Sequence, residues 1–437
     1  MKTKLFTFLL VIGVASIEMV NAGVINGTCG DNLTWTLNTE ERSLVIEGSG
    51  PMTDYIYTGA PWHNSSTYID GVSVKLVNLI KTIIIKDGVT SIGNHAFREC
   101  DDLRSVTIGN DVTSIGGCAF IDCKNMSSPI VIPNSVTSIG NKAFYGCSSI
   151  NSITIGNNVS SIGEHAFYQC GSLSSINIPD KVTNIGQCAF AYCGSLTSIT
   201  IGKGVTNIGA LTFYDCKNLK SVVWNAKNCS DFEEDNTPFY RDIKESSSNF
   251  YTANYINSFE LGNEVETIPA YLCYNMRIKS IIIPSSVTSI REGAFRECSL
   301  TSVTIPNSVT SIERYAFTGC SGLTSVTIGS SVTAIRFFAF SSLYNMQNMY
   351  VKAVIPPSIY SSTFNGLSHE IPVYVPKESV DAYKADQYWG QLNIIGGLSA
   401  VETVESAPVI VNKVLRDGQI FIIRGDKTYT VQGQEVK

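Results

Sequence analysis

Imidazole and thiol side chains recur at nearly equal intervals along the chain, and both can bind a metal ion. Directly before successive Ala-Phe pairs the sequence has, in order, His95, Cys118, Lys142, His165 and Cys188. If successive repeats stack about 4.8 Å apart, His95 approaches Cys118 and His165 approaches Cys188. Each pair supplies two ligands, whereas a structural zinc site takes four. We therefore predict neither a metal site nor a cofactor.

Thirteen cysteines would ordinarily indicate disulfide bonds in an exported protein. Eight of them, however, stand three residues after a phenylalanine: Cys100, Cys123, Cys147, Cys170, Cys193, Cys216, Cys298 and Cys320. A small apolar thiol suits a tight turn beside a core, and an odd total leaves at least one cysteine unpaired. We predict a ladder of reduced, buried cysteines. Disulfides are the alternative, with Cys29 and Cys229 as the first candidates for them.

Catalytic chemistry has little support in the sequence. The four histidines are His63, His95, His165 and His369. None of them belongs to an H-E-x-x-H motif, and the chain has no G-x-S-x-G. The acidic run within residues 231–235 could serve a glycan hydrolase only if two carboxylates lay ~5 to 10 Å apart in a cleft. We predict that the protein is not an enzyme and assign no catalytic residue, with a glycan-acting enzyme as the less favoured alternative.

A sequence repeat positions these side chains. The segment Val136–Cys147, VTSIGNKAFYGC, returns in near copies along most of the chain, at steps of 22 to 24 residues within an unbroken run. The counterparts of its Phe144 are Phe97, Phe120, Phe167, Phe190, Phe213, Phe295, Phe317 and Phe340. A period in this range indicates a solenoid of stacked coils.

One repeat predicts one coil of that solenoid. Val106 and Ile108 close the pattern L-x-S-V-x-I, whose alternation indicates a short strand with both side chains inward. A turn and a second extended piece at 112–115 follow. Phe120 and Cys123 then lie three residues apart, on one face of a short helical turn. We predict a repeat solenoid that is mainly β with short helical turns.

In the form V-T-x-I-G-x-x-A-F-x-x-C, with the opening L-x-x-L-x-L, the repeat resembles the BspA-like leucine-rich repeat family of bacterial cell-surface proteins. The resemblance recurs about ten times and covers roughly residues 80–375. It implies a curved leucine-rich repeat solenoid with a period of about 23 residues, displayed on a cell surface and engaged in adhesion to host or neighbouring-cell proteins. No catalytic residues come with the family.

The chain begins with an export signal. Two lysines lie within residues 1–4, an apolar run follows at 5–15, and small residues precede Gly23. We predict a signal peptide at 1–22 that is cleaved after Ala22, because the apolar run is too short to span a bilayer.

Residues 23–79 are predicted as an N-terminal β cap. A hairpin of residues 33–37 and 43–47 is expected there, since the first coil would otherwise expose an apolar end and a strand edge. Trp35 and Trp62 are expected to cover that end.

Residues 80–372 are predicted as the solenoid, with one irregular step. From Leu219 to Ile256 is 37 residues, so about 14 are added within an insertion at about 225–254. The insertion is either a recognition loop or a tolerated irregularity, because insertions in surface loops cost little stability.

The C-terminal part is divided into three segments. Residues 373–395 are a closing cap, which resembles the VP-x-x-S-V-x-A-Y ending of the same family. Residues 396–410 are a linker. Residues 411–437 are a β-hairpin tail, and its Y-T-V-Q-G-Q-E-V close is similar to C-terminal sorting signals of the type IX secretion route.

The candidate binding surface has two parts. On the strand face, the x positions of L-x-S-V-x-I point to solvent and stack from coil to coil; they are Arg104, Ser105, Thr107, Ser152, Thr154, Ser175, Asn177, Ser198, Thr200, Ser302, Thr304, Ser325 and Thr327. In the insertion the candidates are Asp231, Glu233, Glu234, Phe239 and Tyr240. Short hydroxyl side chains lose little entropy when a ligand covers them. They also suit exposed strands without any ligand, and both explanations stand.

The composition narrows the class of partner. A net charge of −6 argues against nucleic-acid binding, and after the first residues no stretch is long and apolar enough for a transmembrane segment. We predict a secreted or cell-surface protein that binds other proteins, such as host extracellular matrix or other cell-surface proteins, through the strand face or the insertion. A glycan is a further candidate ligand, and a structural surface-layer scaffold is the alternative function.

Overall fold

The computed structural model of the chain describes residues 23–57, 59–69, 72–239 and 255–398, together with the backbone of short strands within 411–436. The predicted signal peptide and most of the predicted linker lie outside the described residues.

Most of the described chain winds into stacked coils, each with a first strand, a second strand and a run of turns, which confirms the predicted repeat solenoid. Both strands pair in parallel with those of the next coil, as Ser198 does with Ser221 and Asn184 with Asn207. Because neighbouring coils carry the same pattern of residues, the pairing register repeats from coil to coil.

The strands are short, since a turn residue follows each apolar pair. The first strands are Thr82–Ile85, Ser105–Thr107, Ile130–Val131, Ile153–Thr154, Ser175–Asn177, Ser198–Ile201, Ser221–Trp224, Ser258–Leu261, Ser302–Thr304, Ser325–Ile328 and Asn348–Val351. The second strands are Gly50–Pro51, Val89–Ile92, Ser114–Ile115, Ser138–Ile139, Ser161–Ile162, Asn184–Ile185, Asn207–Ile208, Thr267–Ile268, Ser289–Ile290, Ser311–Ile312 and Ala334–Ile335.

The third side of each coil is a run of tight turns rather than a short helix. The amides of Ala119 and Cys123 donate to carbonyls three residues earlier, whereas those of Cys118, Phe120 and Asp122 donate to the next coil. Cys118 and Asp122 have φ angles of 55° and 60°. A left-handed residue at every fourth position interrupts a helix. Alternate amides therefore point along the stack and hold the coils together.

The core is organised around columns of stacked aromatic rings. The first column consists of Trp62, Phe97, Phe120, Phe144, Phe167, Phe190, Phe213 and Phe239, with ring centroids 5.1 to 5.5 Å apart. The second column consists of Phe295, Phe317, Phe340, Phe364 and Trp389. Between them Cys273 takes the phenylalanine position, because its amide donates to Ala294 as that of Phe295 donates to Ala316.

The repeat cysteines lie beside these rings. All eight predicted members of the ladder are buried. Apart from Cys100, their thiols donate to a backbone carbonyl of the preceding coil, as the Sγ of Cys170 does to Phe144 at 3.4 Å and that of Cys193 to Phe167 at 3.3 Å. All thirteen cysteines are free thiols in the structure.

The N-terminal segment continues the first-strand sheet with three strands. Val24–Gly30, Leu33–Asn38 and Ser43–Gly48 pair antiparallel, and the third of them pairs in parallel with Thr82–Ile85. Trp35 is fully buried and meets Trp62 edge to face, with centroids 5.9 Å apart.

Several short elements connect this segment to the first coil. They are the helix Pro61–Asn64, the antiparallel strands Ser66–Ile69 and Val72–Lys75, and the 3-10 helix Leu76–Leu79.

At the other end, Pro372–Pro376 and Asn393–Leu398 extend the first-strand sheet. The elements between them are the 3-10 helix Lys377–Ser379, the helix Val380–Ala385 and the 3-10 helix Trp389–Gln391. The Tyr383 hydroxyl donates to Ala353 at 2.8 Å, so its one polar group is satisfied inside the core.

The tail that was predicted as a hairpin contains four antiparallel strands in a sheet of their own. They are Val411–Arg416, Gln419–Arg424, Lys427–Thr430 and Glu435–Val436.

Candidate ligand-binding face

The predicted residues of the first strands form two columns on one face, called the strand face below. The serine column contains Ser105, Ser152, Ser175, Ser198, Ser302 and Ser325, and the threonine column contains Thr107, Thr154, Asn177, Thr200, Thr304 and Thr327. Ser175 lies opposite Ser198, and Asn177 lies opposite Thr200. Because the intervening Ile199 is buried, these side chains point outward from the pleat.

The hydroxyl groups of the threonine column are not used by the fold. Among the described residues, no hydrogen-bond partner exists for the side chains of Thr107, Thr154, Thr200, Thr304 and Thr327. All five side chains are exposed or half-exposed. They therefore present free donors and acceptors to solvent or to a ligand.

Threonines directly before the second strands behave in the opposite way. The Thr183 hydroxyl donates to the Ser160 carbonyl at 3.2 Å, and the Thr206 hydroxyl donates to Thr183 at 3.1 Å. The same bond to the preceding coil is made by Thr113, Thr137, Ser160, Ser230, Thr288, Thr310, Thr333 and Ser358. The threonine of V-T-S-I therefore has a structural role, since its hydroxyl bonds to the preceding coil. This role depends on the register between coils, so the sequence of one repeat does not reveal it.

Two predicted residues at the start of the strand face have internal partners. Arg104 Nη1 donates to the Asn125 carbonyl at 3.3 Å, and the Ser105 hydroxyl donates to Thr82 Oγ1 at 3.3 Å. Both residues lie on the strand face, but their side chains already have hydrogen-bond partners, unlike the hydroxyls of the threonine column.

The threonine column is interrupted and ends on aromatic residues. Val131 lies opposite Thr154 and is 60% exposed, and Val223 lies opposite Thr200. Beyond Thr327 the column continues with Tyr350 and Tyr374, whose rings stack at 5.1 Å. Sequence reasoning missed this aromatic pair, although the position of Tyr350 in its repeat could have indicated it.

The acidic residues that were predicted to lie in the insertion have structural partners. Asp231 Oδ1 accepts the Ala270 amide at 2.9 Å, and Glu234 forms an ion pair with Arg296 at 2.7 Å. Glu233, directly before the 3-10 helix Glu234–Asn236, accepts a hydrogen bond from the Asn236 side chain. The contacts of Asp231 and Glu234 join this segment to later coils.

Phe239 is not a surface residue, and its assignment to the binding surface is wrong. Its ring is buried and stacks on Phe213 at 5.4 Å, so it serves as the core phenylalanine of its coil. The insertion therefore falls after Phe239 and before the strand Ser258–Leu261. Tyr240 lies outside the described residues.

The His and Cys positions that precede each Ala-Phe pair have positive φ, including His95, Cys118 and His165. Within the described ranges, no group of three or more His, Cys, Asp or Glu is arranged to hold a metal ion. Burial, and then the charge of Arg98, lowers the pKa of His95; burial, and then Lys142, lowers the pKa of His165.

A row of tyrosines on the turn side was also missed. Tyr145 and Tyr168 stack at 4.8 Å, and Tyr192 and Tyr214 follow in the next two coils with edge contacts. Burial raises the pKa of Tyr168 to about 12. Tyr145, Tyr168 and Tyr214 directly follow the core phenylalanine, and Tyr192 lies two residues after it; this spacing was the available signal.

Parallel-paired coils, an aromatic core and an exposed polar strand face define a leucine-rich repeat solenoid. The chain belongs to the BspA type of this class: the family model of the BspA type leucine rich repeat region matches residues 67–130, 125–242 and 241–370, in 6 copies.

Several solved structures are similar. A leucine-rich repeat protein from Bacteroides ovatus is 21% identical, with 90% of this chain and 100% of that chain covered and a TM-score of 0.40. The pneumococcal vaccine antigen PcpA is 15% identical, with 88% and 99% covered and a TM-score of 0.38. A leucine rich cell surface protein from Faecalibacterium prausnitzii is 23% identical, with 74% and 93% covered and a TM-score of 0.26.

Comparison with curated proteins gives no match. In the part of the chain that the structure describes, no helix has the length and apolar character needed to cross a membrane.

Proposed function

We propose that this chain is an exported, surface-displayed repeat protein that binds other proteins through its strand face. The observation that carries the proposal is the contrast between the two threonine sets. Hydroxyls directly before the second strands, such as that of Thr183, donate to the preceding coil. Among the described residues, strand-face hydroxyls such as those of Thr154 and Thr200 have no such partner.

The chemistry of this face favours weak contacts repeated over many coils. Serine and threonine side chains lose little rotamer freedom when covered, but the middle of the face lacks the Trp, Tyr and Arg anchors of tight interfaces. The stacked pair Tyr350 and Tyr374 supplies an aromatic anchor at one end. A partner that spans several coils would gain affinity from their combined contacts.

Extracellular-matrix proteins and proteins of neighbouring cells are the proposed partners. Support comes from membership of the BspA type family together with the export signal predicted at residues 1–22. Binding rather than catalysis is proposed, because Asp231 and Glu234, the strongest carboxylate candidates, are engaged by the fold. If the protein associated with itself in a concentration-dependent way, that result would instead favour a self-assembling scaffold.

The test is a charge substitution on the strand face. Purified protein is measured against a panel of immobilised extracellular-matrix proteins by biolayer interferometry, beside the double variant Thr154→Lys and Thr200→Lys. Loss of capture with an unchanged melting curve is expected, since both side chains face solvent.

The matched control is the double variant Ser172→Lys and Ser195→Lys. Both serines are exposed and lie at the corner before the first strand. Their replacement by lysine adds the same charge as the strand-face variant does. Equal capture by the strand-face variant and the wild-type chain would move the binding site off this face, with the insertion after Phe239 as the next candidate.

A further inference from the structure

A polar groove runs along the corner between the second strands and the turns, and it is called the turn groove below. Its first segment, of about 580 Å³, is lined by Tyr55, Tyr57, Asn94, Asn141, Lys142 and Glu164, among others. Its second segment, of about 420 Å³, shares Asn141 and Glu164 and continues past Gln187 to Asn207. The two segments together cross several coils, a length that suits a linear ligand.

Glycines line the second segment of this groove, where neighbouring coils pack closely. A Cβ atom on Gly163 would lie 2.6 Å from the Asn141 amide nitrogen, and one on Gly186 would lie 2.4 Å from that of Glu164. The stacking of the coils thus excludes side chains at this position.

Carboxamide groups in the first segment are held in fixed orientations. Asn94 Oδ1 accepts the Gly117 amide at 2.5 Å, and Asn141 Oδ1 accepts the Glu164 amide at 2.9 Å. Within the described chain, the Nδ2 group of neither asparagine has a hydrogen-bond partner. Each asparagine therefore presents a fixed donor whose orientation is set by the backbone of the next coil.

An aromatic ring at the end of the groove is held equally firmly. The Arg98 guanidinium lies 3.5 Å from the centroid of the Tyr57 ring and donates to the Tyr57 carbonyl at 2.7 Å. Only 6% of the Arg98 side chain is exposed, whereas Tyr57 is 70% exposed. One face of the ring is covered by a buried cation, and the rest of the ring is open.

We propose that the turn groove binds a neutral, linear oligosaccharide. Fixed amide donors match rows of sugar hydroxyls, and an open aromatic ring packs against the apolar face of a sugar. Lys142 and Glu164 carry opposite charges, which disfavours a polyanion. An extended peptide would need free backbone groups, but the amides of Gly116 and Cys118 at this corner already donate to other coils.

The test uses the mature full-length chain and calorimetric titration with hexasaccharides of glucose, mannose and N-acetylglucosamine. We expect at least one of them to bind. Tyr57→Ala should weaken that binding by about ten-fold or more, while Tyr57→Phe keeps the ring and the affinity. Asn141→Asp should also weaken it about ten-fold, because the change keeps the acceptor for the Glu164 amide and removes the Nδ2 donor.

The matched control is Asn134→Asp. Asn134 Oδ1 accepts the Asn157 amide at 2.8 Å in the same way, but it lies at another corner of the coil, outside the groove. The Asn134→Asp variant should bind sugar with the same affinity as the wild-type chain.

Three results would overturn the proposal. They are the absence of binding by every hexasaccharide, unchanged binding by Tyr57→Ala, and tighter binding of an extended hexapeptide or a heparin-derived hexasaccharide that competes for the groove. The variant Thr154→Lys and Thr200→Lys should bind sugar normally, so failure of the strand-face proposal and failure of this one remain distinguishable.

Discussion

The indole ring of Trp62 stacks on Phe97, with centroids 5.3 Å apart and planes within 8°. Its Nε1 donates to the Ala96 carbonyl at 2.8 Å. At the other end of the solenoid, Trp389 contacts Phe364 at 5.2 Å, and its Nε1 donates to Pro357 at 2.8 Å. Each end of the aromatic core therefore terminates on a tryptophan whose polar atom is satisfied by backbone.

Replacement of this terminal ring should open the first coils. Trp62→Ala removes a buried aromatic side chain and should cost ~3 to 5 kcal/mol of unfolding free energy. Amide hydrogen exchange should rise most in the first coils, around residues 82–123. Trp62→Phe, which keeps a stacked ring, should cost much less, and equal losses for the two variants would contradict the stacking role.

A core substitution in the middle of the column should act locally. Phe167 stacks between Phe144 and Phe190 at 5.3 and 5.1 Å. Phe167→Ala should cost ~3 to 5 kcal/mol, and because each coil contacts only its neighbours, faster exchange should be confined to the adjacent coils. Uniform loosening from residue 82 to residue 395 would argue against nearest-neighbour stability.

The two threonine columns should respond differently to the same change. Thr183→Val removes a hydroxyl that donates to Ser160 and should cost ~0.5 to 1 kcal/mol. The matched change Thr200→Val removes a hydroxyl without an internal partner and should leave chemical denaturation unchanged, since valine suits a strand. Equal effects of the two changes on the unfolding midpoint would remove the structural distinction on which the binding proposal rests.

Thiol reactivity should divide the cysteines into two sets. Burial raises the pKa of Cys216 and of Cys320 to about 12, so their thiolates are scarce at neutral pH. Cys118 and Cys188 are only partly buried. In the native protein an alkylating reagent should modify these two first, and all thirteen cysteines should react after denaturation, as mass spectrometry can measure. A count below thirteen in denatured, unreduced protein would reveal disulfides.

Acid should weaken the N-terminal end. Burial lowers the pKa of His63 below its ordinary 6.5, and the charges of Arg98 and Lys75 lower it further. The hydrogen bond to the Arg98 carbonyl and the charge of Glu99 raise the pKa, but they do not outweigh burial. The unfolded chain then binds more protons as pH falls below about 6.5, so stability falls with it. Thermal melts between about pH 7.5 and 5 should show a smaller loss for His63→Gln than for the wild-type chain.

His95 and His165 shift in the same direction, so part of the acid sensitivity should persist in His63→Gln. A variant with all three histidines replaced by glutamine serves as the reference. If His63→Gln melts with the full wild-type pH dependence, the buried imidazole is not the responsible group.

Periodicity alone predicted the solenoid, the strand positions and the buried Phe and Cys residues, because these properties are fixed within one repeat. Phe239 was misplaced, and Cys273 was left unassigned, for one reason. The added residues shift the count, so a core phenylalanine was assigned to a loop, and a cysteine was not recognised at a phenylalanine position.

The features that sequence reasoning missed are relations between coils. The hydroxyl bond of Thr183 to Ser160, the row of tyrosines that begins at Tyr145 and the free Nδ2 of Asn141 all depend on which residue the next coil places alongside. One repeat read by itself contains the residue types but not these neighbours.

The interruption at Cys273 has a mechanical consequence. Phe239 meets Phe259 edge-on, with centroids 6.4 Å apart, where most other coils have parallel rings 5.1 to 5.5 Å apart. A tensile force applied between the two tryptophan-closed ends would therefore separate the coils first at this point. The two halves would then extend one after the other, and a single-molecule pulling trace should show two rupture events rather than one.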